Sequence, residues 1–150
     1  SYIARSLGWS QAKLAASPAY LDRVGRPATP QDLARHDLLL VGRDAPGLTL
    51  RLTNAAGEVA DVPVRPVLIT NESVTVLRQA ASGGGIALAS THYTARRLER
   101  NELEIVLPDW HRADDVELHV LYPRRATLDS KVRAFVDFLA ELFTAWRTAP

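Results

Sequence analysis

A chain of 150 residues can form one ordinary domain with a true core, and its 47% hydrophobic and 23% charged residues are those of a soluble globular protein. Eighteen basic residues against seventeen acidic ones leave a formal charge of +1, which excludes a domain that grips nucleic acid by its own basic surface. With no cysteine, disulfides and thiolate metal sites are excluded, and no apolar run approaches the ~18 residues of a membrane span.

The chain has no Met and opens at Ser1 directly into a segment suited to extended structure, so it is expected to be part of a longer protein. Tyr2 to Ala16 lacks proline and predicts one long strand or two. Ser17-Pro18-Ala19-Tyr20-Leu21 starts a short helix, with Ser17 at the N-cap and Pro18 at the first helical position. Gly25 ends it, and Pro27 prevents its continuation. Thr29-Pro30-Gln31-Asp32-Leu33 repeats the device for a helical turn through Ala34 or Arg35. Leu38 to Gly42 reads as a strand, whose Leu38–Val41 is apolar at every position.

Thr49 to Thr53 alternates Leu50 and Leu52 with polar residues, the period of a half-buried strand. Asn54-Ala55-Ala56-Gly57 is a turn. Glu58 to Ile69 continues the sheet, with Pro63 and Pro66 implying an edge or a bulge. Ser73 to Ser82 is a helix with Val74, Leu77, Ala80 and Ala81 on one face. Ile86 to Ala89 is a short buried strand. His92 to Arg100 is a further helix, with Asn101 in the left-handed position at its end. Leu103 to Leu107 is a strand, Pro108-Asp109-Trp110 a turn, and Val116 to Tyr122 a strand stopped by Pro123. Asp129 caps the last helix, where Val132, Phe135, Val136, Leu139, Leu142, Phe143 and Trp146 form one stripe, expected to pack on the core. Strands alternating with helices predict an α/β architecture.

Three consecutive glycines, Gly83-Gly84-Gly85, raise the possibility of a phosphate-binding loop. Such a loop needs Lys and then Ser or Thr after its last glycine, and here Ile86-Ala87 follow. A dinucleotide fingerprint runs from strand to helix, whereas this order is helix to strand. The triplet therefore reads as a joint, with Gly83 or Gly84 at positive φ. The helix start is more informative. Thr70-Asn71-Glu72-Ser73 sits where a strand turns into a helix, and the free N–H groups of such a start suit a carboxylate or phosphate. The plain alternative is that Asn71 only caps the helix and Glu72 only complements its dipole. His36, His92, His111 and His119 form no metal-ligand spacing. No Gly-x-Ser-x-Gly elbow is present, Asp114-Asp115 reads as a hinge or loop, and Arg96-Arg97 and Arg124-Arg125 read as solvated ends. Neither an enzyme nor a cofactor is indicated.

The ordered motifs Ser17-Pro18-Ala19-Tyr20-Leu21, Gly25-x-Pro27, Pro30-x-Asp32-Leu33 and His36, then "LRQAASGGGIALAS", "LEIVLPDW" and "HVLYPRRATLDSKVRAFVDFLAE", resemble the effector-binding domain of LysR-type transcriptional regulators across nearly the whole chain. Three positions depart from that pattern: Ala89-Ser90 where Pro is common, Asn101 where Gly is usual, and Asp129-Ser130 in place of Ser-Pro. The resemblance implies a two-lobe fold like that of periplasmic binding proteins, with lobe I incomplete. Residues 1–13 and about 113–150 would belong to lobe I and residues about 14–112 to lobe II. The DNA-binding helix-turn-helix and the first part of lobe I would lie in a segment preceding Ser1. It further implies a small-molecule effector in the interlobe cleft, with Asn71, Glu72 and Ser73 as contacts beside Thr70, and His119 as a weaker candidate that also reads as a packed strand residue. The effector is expected to be anionic, although Glu72 works against an anion. DNA would be bound only through the missing domain of a cytoplasmic homodimer or homotetramer, with no membrane contact. A periplasmic-type solute-binding protein is the alternative.

Overall fold

The computed structural model describes residues 1–42, 45–124 and 129–148. The chain divides into two compact units, one of Ser1–Ser10 with Asp115–Pro150 and one of Gln11–Asp114. The extended opening segment is accordingly two strands, β1 (Tyr2–Ser10) and β2 (Ala12–Ala16), and Gln11 between them marks the change of unit.

The larger unit is built on a five-stranded sheet. Besides β2 it contains β3 (Leu38–Val41), β6 (Pro66–Thr70), β7 (Ile86–Ser90) and β8 (Glu104–Val106), in the order β6-β3-β7-β2-β8. β3 runs parallel to both β6 and β7, and β2 is antiparallel to β7 and β8. The strand period of two sorts the side chains cleanly. Leu14, Leu38, Leu40, Ile86 and Leu88 join one apolar cluster, while Ala15, Leu39, Val41, Ala87 and Ala89 join the other. A strand apolar at every position, such as Leu38–Val41, is what a sheet covered on both faces requires.

The first cluster is closed by α1 (Pro18–Val24), by a 3-10 turn over Pro30–Arg35, and by a second sheet of β4 (Thr49–Asn54), β5 (Val59–Pro63) and β9 (Trp110–Arg112) in the order β5-β4-β9. The second cluster is covered by α2 (Ser73–Ala81), which contributes Val76, Leu77 and Ala80. It is flanked by α3 (Thr91–Glu99), whose Leu98 packs against it. The segment Glu58 to Ile69, expected to continue one sheet with an edge or a bulge at its prolines, is two strands in two sheets, each at an edge. Pro63 and Pro66 lack the N–H a central strand must donate, and Val64 N–H between them donates to Leu48 O at 2.8 Å. Trp110, expected in a turn, begins β9.

Local signals act as expected in α1, where the Ser17 hydroxyl accepts the Tyr20 N–H at 3.2 Å. In the following 3-10 turn, Thr29 takes the N-cap place, yet its hydroxyl donates to Asp32 at 3.1 Å. The Asp32 carboxylate also accepts the N–H groups of Ala28 and Thr29, and these bonds, Thr29's first, hold it below the usual carboxylate range. Asn101 is left-handed at φ 55°, and Glu102 N–H reaches back to Arg97 O at 2.9 Å to close α3.

The Tyr20 side chain is fully buried. Its hydroxyl accepts the Asp37 N–H at 3.0 Å and lies 3.2 Å from His36 Nδ1. Burial pushes the imidazole of His36 below its usual pKa and the phenol of Tyr20 above its own. Neutral His36 offers Nδ1 as an acceptor for the Tyr20 proton, whereas protonated His36 presents a second donor.

Each glycine of the triplet is needed for a separate reason. Gly83 sits at φ +84°. A Cβ on Gly84 would come 2.9 Å from Gln79 O, and one on Gly85, at φ +149°, would come 2.4 Å from Asp37 O. That approach lets Ile86 N–H donate to Asp37 O at 2.8 Å and start β7 beside β3.

The smaller unit pairs β1 with β10 (Val116–Pro123) in an antiparallel ribbon, with a bulge between Ser6 and Gly8. Its helix α4 (Ser130–Thr148) packs on β1 and is capped at Lys131 N–H by Asp129 at 2.9 Å. The apolar stripe of α4 is not core throughout, as the sequence led one to expect. Val136 is buried, Val132, Leu139, Leu142 and Phe143 are half-buried, and Phe135 is 59% exposed. A ribbon two strands wide cannot cover a helical stripe of ~100° or more. The Trp146 side chain lies outside the described residues, as does Arg125.

Gly85→Ala is expected to cost about 3 kcal/mol or more in urea denaturation, because it combines a backbone clash with unfavourable φ. Gly57→Ala, at φ +79° with open space around it, is expected to cost only about 1–2 kcal/mol. Because the folded state lowers the pKa of His36, the unfolded chain binds the proton more readily. The His36 contribution is thus complete above its unfolded value near 6.5 and is lost as pH falls through the folded value. Urea midpoints measured from pH 8 to 5 should fall, and His36→Asn should remove part of that slope.

Candidate functional site

The carboxyl ends of parallel strands are where α/β sheets bind ligands. In the larger unit β3, β6 and β7 end together. Val41 pairs with Thr70, and Gly42 N–H donates to Thr70 O at 2.9 Å. The antiparallel β2 starts at the same edge, since Ala12 pairs with Ser90 and Thr91 N–H donates to Gln11 O at 3.0 Å. Both α2 and α3 begin there, directly after Thr70-Asn71-Glu72 and after Ser90.

The two helix starts differ. Ser90 is the N-cap of α3, and its hydroxyl accepts His92 N–H at 3.3 Å. The N-cap of α2 is Glu72, whose side chain makes no cap hydrogen bond, and among the described residues no other side chain accepts from the first N–H groups. Asn71, expected as the cap under the plain alternative, stands one residue before the cap and is exposed. The Glu72 carboxylate accepts the Thr75 hydroxyl, and its own N–H donates to Thr70 Oγ1 at 3.3 Å. Glu72 is thereby tied along its own helix, while the donors of the first turn have no side-chain acceptor among the described residues. Partial positive charge at such a terminus favours an anion.

Thr70, Asn71, Glu72 and Ser73 are thus contiguous at this edge. Sequence inspection missed Gln11, Gly42, Ser90 and Thr91, which the sheet order brings to the same edge. Their only sequence signal is a place at the end of an apolar strand. His119 stands in the smaller unit on β10, opposite Ser6, with Glu117 Oε1 3.5 Å from its Nε2. Among the described residues no three His, Asp or Glu side chains stand close enough to hold a metal, and no helix is long and apolar enough to cross a membrane.

The family model for the LysR substrate binding domain matches residues 1–144. An uncharacterized HTH-type transcriptional regulator of Haemophilus influenzae is 31% identical over 132 residues, covering 88% of this chain and 45% of that protein. The full-length Vibrio cholerae virulence activator AphB, described as a member of the LTTR family, superposes with a TM-score of 0.78 at 31% identity, over 95% of this chain and 48% of that one. The regulatory domain of AphB from Vibrio vulnificus gives a TM-score of 0.74 at 30% identity, over 93% and 69% of the two chains. The chain thus spans about half the length of the full-length proteins it matches. These relatives are regulators rather than enzymes, and the solute-binding alternative is not favoured.

Ser90→Ala should destabilise the larger unit by about 1 kcal/mol through loss of the α3 cap. Asn71→Ala should change urea stability by less than about 0.5 kcal/mol, because Asn71 is exposed and does not cap.

Proposed function

This chain belongs to the LysR substrate-binding domain family, and we propose that it senses a small anionic effector at the sheet edge where α2 begins. The observation that carries this reading is the first turn of α2, which lies at the carboxyl end of β6 with no side-chain cap among the described residues. Ser73 and the following N–H groups would hold a carboxylate, with Thr70 and Asn71 beside it as hydrogen-bonding side chains. The carboxylate of Glu72 makes the site selective, since it repels a second negative charge placed close by and favours a ligand with one anionic end. In the smaller unit, exposed His119 is the candidate contact.

Residues 1–13 and 113–150 are read as parts of lobe I, and residues 14–112 as lobe II. The change of compact unit at Ser10–Gln11 and at Asp114–Asp115 supports this division, although it groups Gln11–Lys13 and Ala113–Asp114 with the unit read as lobe II. The whole protein would be a cytoplasmic transcription factor that binds DNA through an N-terminal domain and assembles as a homodimer or homotetramer. An effector with different affinity for two arrangements of the assembly would bias it between them.

A panel of small mono- and dicarboxylates in a thermal-shift assay tests the site. A ligand at about a hundred times its Kd should stabilise the folded chain by about 2.7 kcal/mol. Asn71→Ala should weaken the best carboxylate about tenfold. Glu72→Gln should strengthen a dicarboxylate several-fold by removing the repelling charge. Unchanged affinity in Asn71→Ala, or no carboxylate that stabilises the chain, would overturn the assignment.

A further inference from the structure

We infer that a groove on the outer side of α2 and α3 docks an acidic peptide segment of a partner protein, one that carries a bulky apolar side chain among its carboxylates. The groove has a volume of about 280 Å3 and lies wholly within the larger unit. Leu77, which is buried, forms its floor, and Val74 and Tyr93 stand at its sides, 48% and 59% exposed. Arg96, Arg97 and Arg100 line it from α3 and the residue that ends it. Tyr93, Arg96, Arg97 and Arg100 are spaced i, i+3, i+4 and i+7, so they form one stripe roughly 10 Å long on a single helix face.

The charge of the groove is not balanced from within. Glu102 is the one acidic residue lining it. Its carboxylate pairs with Arg97 at 2.7 Å and stands 3.9 Å from Arg100. Arg96 has no ion-pair partner among the described residues. Three guanidinium groups against one carboxylate leave a net charge of +2. Cations near a helix C-terminus are favoured by its dipole, which accounts for the arginines but not for the exposed Tyr93 and Val74 that line the groove with them. Tyr and Arg set beside apolar surface are residues that dominate protein–protein contacts.

The chemistry of the occupant follows from complementarity. Guanidinium forks pair with carboxylates, and the apolar floor takes a hydrocarbon or aromatic side chain. A small carboxylate would use only part of a stripe of this length. A second copy docking through the same groove by two-fold symmetry would set like charges against each other, which is costly. Phosphate-rich nucleic acid would leave the apolar floor unused.

The test uses the full chain, labelled for NMR, with synthetic helical peptides of about 16 residues. One has Glu and Leu on one face, a second has Ser in place of each Leu, and a third has Lys in place of each Glu. The Glu/Leu peptide should shift the amides of Val74, Tyr93, Arg96 and Arg100, bind more weakly as salt rises, and bind about tenfold more tightly than either control. Arg96→Glu combined with Arg100→Glu should weaken it by about tenfold or more, while Asn71→Ala leaves it unchanged. Arg96→Gln with Arg100→Gln supplies the same contrast if the double reversal fails to fold. Equal binding of the Leu and Ser peptides, shifts confined to other surfaces, no binding, or undiminished binding by the double variants would overturn the proposal. So would sedimentation showing that the chain self-associates through this face and loses that association in the double variant, since the occupant would then be a second copy.

Discussion

The close approach of the Asp37 carbonyl to Gly85 sets the geometry of the larger unit. The Asp37 oxygen accepts the Ile86 N–H at 2.8 Å, across a space that any Cβ at position 85 would fill. That single bond places the start of β7 beside the start of β3 and aligns the two strands in parallel register. The same residue is held through its other backbone group, because Asp37 N–H donates to the buried Tyr20 hydroxyl. Arg23 adds a tie by donating to Gly83 O at 3.1 Å and lying 5.5 Å from the Tyr20 ring. Helix α1, the strand β3 and the glycine joint are thus one connected corner.

From that corner the rest of the unit is a matter of strand period and coverage. Once β3, β6 and β7 are in register, their side chains divide between two apolar layers and their carboxyl ends fall on one edge. Helices that follow those strands must begin at the same edge, since each runs back over the sheet. The free N–H groups of α2 therefore arise where three strand ends, the start of β2 and a second helix start converge. The candidate site is a product of topology, and the chemistry of its residues is ordinary: two hydroxyls, an amide, a carboxylate and backbone donors. This suits a sensor, which needs differential affinity and no reacting group.

Surface electrostatics contribute little to the stability of this frame. The ion pairs Arg26–Glu104, Arg51–Asp61 and Arg26–Asp22 are all substantially exposed, so water and salt screen them and they add little. One of them acts on register instead: the Arg51–Asp61 pair spans β4 and β5 at directly opposite positions. The arginines of α3 are different in kind, since they outnumber their acidic partner and border exposed apolar surface.

The sequence by itself determined the elements whose causes are local. Ser17-Pro18 starts a helix because a hydroxyl and a fixed φ act within one turn, Asn101 ends one because it tolerates the left-handed region, and Leu38–Val41 must be covered on both faces because every residue in it is apolar. It also placed the α2 start at Ser73 and pointed to Thr70, Asn71 and Glu72. Only the tertiary structure decided what depends on partners far along the chain. The opening segment became two strands in different units, and Pro63 and Pro66 ended up at the edges of different sheets. The stripe of α4 is only partly buried, because burial depends on the width of the surface beneath a helix and not on its own periodicity. Likewise Gln11, Gly42, Ser90 and Thr91 carry no mark of their own, and they share the edge with Asn71 only because the sheet order β6-β3-β7-β2 puts their strand ends side by side.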